Sequence, residues 1–328
     1  MDKRTVLTRR LAIVTAIGMF IVLLMGANVT ATGSGDGCGN DWPLCHGKLI
    51  PGDYFESIVE YSHRLVTSIE GVAVLATTVL GWGLRKKFPE LLILIPAMAF
   101  TLVLQSLMGA AAVKWPQSAA VMATHFGISL ICLASAYLIA RILVDHERER
   151  LMRIARVEPT TLLRWLMVAN FFFSIIVAYS GAYVRHTHTE VACGINWPDC
   201  NGTLAPDLGN QVWVHMGHRV LAVLITITIA WMFVVASNQR ETRPDLYALA
   251  RNCVIVVVLQ VLAGGLVVLT TVQLLTTLTH AALMAILFMF LADGVRRVYP
   301  MRRSQERTDS SPVSPLGSQR PAVSGPGR

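Results

Sequence analysis

Glu60-Tyr61-Ser62-His63-Arg64 opens a long apolar run, and 155 residues later the chain carries a near copy, His215-Met216-Gly217-His218-Arg219. A histidine inside a membrane helix is costly without a partner, so two at matching places need a reason. Carried outward, the same offset shows the chain written twice. Gly26-Ala27 matches Gly181-Ala182, Cys38-Gly39 matches Cys193-Gly194, and Trp42-Pro43 matches Trp197-Pro198. Cys45 matches Cys200, Gln105 matches Gln260, Gly109 matches Gly264 and His125 matches His280. So many unusual residues do not align by chance, and internal repeats take precedence over other sequence signals.

Of the 328 residues, 54% are hydrophobic and only 15% are charged. Roughly a quarter would be charged in a soluble domain. Apolar runs near 11–31, 61–83, 91–113, 119–141, 165–184, 213–236, 252–272 and 276–295 each approach the ~20 residues that cross a hydrocarbon core. Four helices per half is an even number, so both halves enter the membrane in the same direction, as a parallel repeat. The predicted fold is an all-α integral membrane protein, its eight transmembrane helices forming two pseudo-symmetric four-helix bundles. Residues 1–150 make the N-terminal half and 151–300 the C-terminal half. A charged linker over 142–164 joins them, with a break expected at Glu158-Pro159. The Ser-, Pro-, Gly- and Arg-rich tail over 301–328 has too few apolar residues to fold and is expected to be disordered.

The net charge is +8, but it is distributed by topology. Lys3, Arg4, Arg9 and Arg10, then Arg85, Lys86 and Lys87, then Arg148 to Arg164, Arg240 to Arg251, and Arg296 to Arg303 fall in alternate loops. The positive-inside rule puts both termini in the cytoplasm and the 31–60 and 185–212 loops outside. The chain is thus expected in the cell membrane as a multi-pass protein, with no nucleic-acid partner. The first apolar run is long for a secretory leader, and its repeat partner is an internal segment, so it reads as a retained helix.

Cys38 and Cys45 have six residues between them, as do Cys193 and Cys200, and both pairs fall in the outer loops. Disulfides persist on that side of a membrane. Two readings stand: a structural staple in each half, or a redox pair that hands on electrons. Cys132 and Cys253 lie in apolar runs and read as small core residues.

His63 and His125 fall near the outer ends of the second and fourth helices, and the repeat sets His218 and His280 likewise on the sixth and eighth. Two imidazoles at one depth on neighbouring helices can hold an iron porphyrin between them, one on each face. A lone helix-end histidine more simply hydrogen-bonds a neighbour. The duplicated two-by-two layout favours haem. Proton relays also employ buried carboxylates, which are scarce here (Glu70 and Asp293), and zinc needs further ligands.

Arg64 and Arg219 each follow a histidine on the outer side. Either they contact haem propionates, a bidentate carboxylate pairing, or they snorkel to the headgroups. Glu60 stands one turn before His63, where the repeat has His215. A half that performs chemistry on its porphyrin needs an acid–base group beside it. The bland alternative is an acidic residue favoured by the helix dipole.

These residues together resemble the haem A synthase family, which converts haem O to haem A. The resemblance covers about 11–295 and rests on the Cys-x6-Cys outer loops, Glu60-x-x-His63-Arg64, His125, Gly217-His218-Arg219 and His280. It implies that His218 and His280 ligate a resident haem b and that His63 and His125 bracket the substrate haem O. Glu60 matches the family's essential carboxylate, and the cysteine pairs match its loop disulfides. Two successive hydroxylations of one porphyrin methyl would give a geminal diol that loses water to a formyl group. Expected partners are membrane lipids, haem O synthase and terminal-oxidase assembly factors; oligomeric state is not encoded. Two other classes use the same histidines: a di-haem b electron-transfer protein, and a haem transporter or binding module. The first would tolerate loss of Glu60 and hold two permanent b haems with no haem A, and the second would release haem unchanged.

Overall fold

A computed structural model describes residues 2–115, 118–152, 157–204, 206–207, 209 and 211–300. Among these lie eight long α-helices: α1 (Lys3–Ala31), α2 (Phe55–Trp82), α3 (Leu91–Lys114), α4 (Ala119–Met152), α5 (Thr161–His186), α6 (Val212–Ser237), α7 (Pro244–Leu269) and α8 (Leu274–Val298). Each is long and apolar enough to cross a membrane, and the chain is a multi-pass membrane protein. In a bilayer every backbone group must be bonded within the protein, which uninterrupted helices achieve. Starts are fixed locally: Asp2 Oδ1 accepts the Thr5 amide at 2.7 Å, and Pro244 opens α7 where its missing N–H costs nothing. Ile69, Val72 and Val79 on α2, and Ile176 on α5, point away from the protein. In water such a belt would be a liability; in lipid it is the solvated surface.

Helices α1 to α4 pack in a closed ring, α1 on α2, α2 on α3, α3 on α4 and α4 on α1. Helices α5 to α8 follow the same order. The rings meet where α4 packs on α5, α1 on α8 and α4 on α8. One apolar core fills the first ring around Met19, Ile95, Met98 and Leu133, and a second fills the other around Met167, Ile229 and Met232. Arg185 also donates to the carbonyl of Thr30, its counterpart one repeat earlier, at 3.0 Å.

At the inner end the rings are clamped by ions. Asp293, 1% exposed, accepts from Arg296 Nε at 2.7 Å and from Arg297 Nε at 2.8 Å. Arg296 reaches across to Asp145 on α4 at 2.5 Å. Arg296 and Arg297 are thus largely covered and paired.

The structure departs from the sequence reading in three places. Helix α2 starts at Phe55, about two turns earlier than the apolar run, because amphipathic residues continue the helix above the hydrophobic stretch. Helix α4 runs on to Met152, so most of the expected linker is helix and the break lies between it and Thr161. The histidine-bearing helices α2 and α4 are opposite corners of their ring, as are α6 and α8, and are not close-packed neighbours. The tail over 301–328 lies outside the described residues.

Candidate functional site

Each of the four histidines is seated against a glycine on the preceding helix. A Cβ built on Gly26 would stand 3.4 Å from His63 Cε1, on Gly109 3.8 Å from His125, on Gly181 2.8 Å from His218, and on Gly264 3.0 Å from His280. The glycines and the histidines are all related by the repeat offset. A missing Cβ lets an imidazole approach a helix backbone closely, which explains why these glycines recur. His125, His218 and His280 lie six residues into their helices and His63 eight, so at ~1.5 Å rise they share a depth within about one turn. An open bundle interior flanked by opposed imidazoles is where a planar ligand fits.

A cavity of about 330 Å³ occupies the C-terminal ring. His218, His280, Gly181, Gly264 and Arg219 line it. Ala27, Thr30 and Phe126 close it from the N-terminal ring, so the two halves share a wall. His186, the last residue of α5, also lines the cavity.

The two histidine pairs differ in what holds their rings. Ser180 Oγ lies 2.8 Å from His218 Nδ1, and His280 Nδ1 lies 3.1 Å from the Gln260 carbonyl. In the N-terminal ring the Nδ1 atoms of His63 and His125 are buried without a partner. Ser180 was invisible to the sequence reading because it breaks the repeat: the equivalent residue is Met25. Comparing mismatched positions beside the histidines would have found it.

The outer loops are built alike. Cys38 and Cys45 are joined at 2.11 Å and Cys193 and Cys200 at 2.08 Å. Gly39 and Gly194 take left-handed φ values of 61° and 63°, where a side chain would be strained. Each loop is tied down by the arginine after the histidine. Arg64 Nη1 donates to the carbonyls of Asp41 at 2.7 Å and Leu44 at 2.9 Å. Arg219 Nη1 donates to those of Asp199 at 2.8 Å and Pro198 at 3.1 Å. Both guanidiniums therefore bond loop carbonyls, a role absent from either sequence reading.

Glu60, 4% exposed, pairs with Arg64, and its Oε2 accepts the Cys38 amide at 2.8 Å. The carboxylate thus ties the disulfide loop to α2, one turn above His63. In the other half His215 fills this place, and its Nε2 accepts from Arg219 Nε at 3.3 Å. Lower on α2, Glu70 is buried and its Oε1 has no partner; the repeat has Ile225 there.

Eight membrane-length helices in two like rings, each with two histidines set against glycines, define a duplicated membrane bundle. The chain belongs to the COX15-CtaA family, described as cytochrome oxidase assembly protein, which matches residues 9–292. Similar proteins include the heme A synthase of Lysinibacillus sphaericus, 39% identical over 280 residues, which cover 84% of this chain and 90% of that protein. The heme A synthase of Bacillus licheniformis is 37% identical over 300 residues, 90% of this chain and 98% of that protein. That of Geobacillus thermodenitrificans is 37% identical over 313 residues, 91% and 96% of the two chains.

Proposed function

We propose that this chain oxidises one methyl group of haem O to a formyl group, giving haem A, with haem O bound in the N-terminal ring. The observation that carries the reading is the set of four imidazoles, each close to a glycine of the preceding helix, at similar depth on opposed helices. The fit to a porphyrin rests on the cavity between His218 and His280 and on donor chemistry suited to haem iron. Those two residues would hold a resident haem b, which when bound supplies a one-electron relay. His63 and His125 would bracket the substrate.

The chain's own residues account for the rest. The apolar cores exclude water from the ring faces. Glu60, held at the outer end of the substrate half, offers a carboxylate beside the reacting edge. Its counterpart His215 offers an imidazole in place of a carboxylate, so the two halves differ in the acid–base group one turn before the histidine. Arg64 and Arg219 keep donors near the outer rim, and propionate contacts there are part of the proposal. The arginine-rich loops face the cytoplasm and the disulfide loops face outward. Haem O arrives through the lipid from its synthase, and haem A passes on to terminal-oxidase assembly factors.

The test is to express the chain beside a source of haem O and to chromatograph the haems extracted from it. Haem A should appear with the wild-type chain. Recovery of haem O alone from protein fully loaded with haem b would remove the oxidase reading.

A further inference from the structure

The four histidines divide by how their second ring nitrogen is held, and the division follows the two halves. Ser180 Oγ lies 2.8 Å from the Val177 carbonyl as well as 2.8 Å from His218 Nδ1. A carbonyl only accepts, so the serine proton goes to Val177, and the hydroxyl oxygen must accept from Nδ1–H. His218 is thereby fixed as the tautomer whose Nε2 carries the free lone pair. His280 reaches the same tautomer by another route: the Gln260 backbone carbonyl accepts from Nδ1–H at 3.1 Å, and the Gln260 side-chain Nε2 donates to the Nε2 lone pair at 3.3 Å. In the other half His63 Nδ1, His125 Nδ1 and Gln105 Nε2 are all buried and unbonded. Met25, in the place of Ser180, has no hydroxyl to offer.

We propose that Ser180 is a positioning residue that turns and polarises His218 so that the C-terminal half retains its haem, and that Met25 at the equivalent position leaves His63 free to release one. The proposal rests on the bis-histidine reading given above. Its physical basis is general: a metal-bound imidazole that donates its other N–H is a stronger, better-oriented ligand, and losing that partner costs about 10–100-fold in metal affinity. An enzyme that must keep one haem and exchange the other gains from giving the partner to one histidine and denying it to its repeat copy. The same oxygen makes the His218 imidazole more basic, which favours ferric iron.

The test uses the full-length protein in detergent, with apomyoglobin as haem scavenger. Ser180→Ala should keep the six-coordinate low-spin spectrum, speed loss of the resident haem by about 10–100-fold and raise its midpoint potential. Ser180→Thr should restore both values. In the other half Met25→Ser should slow haem transfer out of the N-terminal site by a similar factor and lower turnover through slow release. A Ser180→Ala protein that loses haem at the wild-type rate with an unchanged potential would overturn the proposal. So would a Met25→Ser protein that releases haem as fast as wild type. His218→Ala separates the two levels: if it removes the resident haem while Ser180→Ala changes nothing, the ligand assignment stands and only the positioning role fails. If His218→Ala leaves the haem in place, the ligand reading itself is wrong and the proposal falls with it.

Discussion

Adding one methyl group at each of the four glycines should weaken haem binding in a graded order set by distance. At Gly181 a new Cβ would stand 2.8 Å from His218 Cε1, and at Gly264 it would stand 3.0 Å from His280 Cε1. Carbon atoms rest at about 3.5–4.0 Å, so the His218 ring must give way by more than half an ångström, and Ser180 resists that movement. Overpacking of this kind costs about 1–3 kcal/mol, which corresponds to roughly 5- to 150-fold in affinity. Gly26, at 3.4 Å, should show a small effect, and Gly109, at 3.8 Å, close to none. Alanine also improves helix propensity by up to ~1 kcal/mol, and this favours the fold with or without ligand. Without ligand the His218 ring can turn aside and relieve part of the clash, so Gly181→Ala should lose less in unfolding temperature than in haem affinity. Haem titration and thermal unfolding of the four alanine variants read the two effects separately. Equal loss at Gly109 and Gly181, or undiminished binding in Gly181→Ala, would show that these glycines do not seat the ligand rings.

Three further outcomes follow from the same geometry. Glu60→Gln retains an acceptor for the Cys38 amide and should keep the outer loop in place while lowering haem A formation at least tenfold; Glu60→Ala should also expose the loop to proteolysis. Equal activity of Glu60→Gln and wild type would confine Glu60 to a structural role. Asp293→Ala removes one of the two carboxylates that Arg296 and Arg297 share, Asp145 being the other, and should destabilise the detergent-solubilised protein by about 1.5–3 kcal/mol, seen as a lower unfolding temperature. Glu70→Ile installs the residue of the other half in place of an unpaired buried carboxyl, and it should raise stability by about 1–3 kcal/mol; a fall would mean that Glu70 has a partner when haem is bound.

Much of this was legible in the chain itself. Apolar length gives the helices, and the repeat gives the four histidines and the two loop cysteine pairs, because both are local or one-dimensional signals. Packing partners are not. The apolar runs of α2 and α4 do not say which helices they touch; only the ring of contacts shows that His63 and His125 come from opposite corners. The arginines illustrate the same limit. Arg64 and Arg219 stand beside histidines in sequence, yet their guanidiniums reach back some twenty residues to loop carbonyls. The Ser180–His218 bond joins residues 38 apart and lies at a mismatch that repeat matching passes over.

The central claim is a division of labour between two copies of one bundle. It is tested most directly by comparing His63→Ala with His218→Ala in cells supplied with haem O, reading the low-spin spectrum and the extracted haems of each purified protein. The account expects His63→Ala to keep resident haem b and make no haem A, and His218→Ala to lose the resident haem. Wild-type amounts of haem A from His63→Ala, or an intact resident-haem spectrum in His218→Ala, would contradict it.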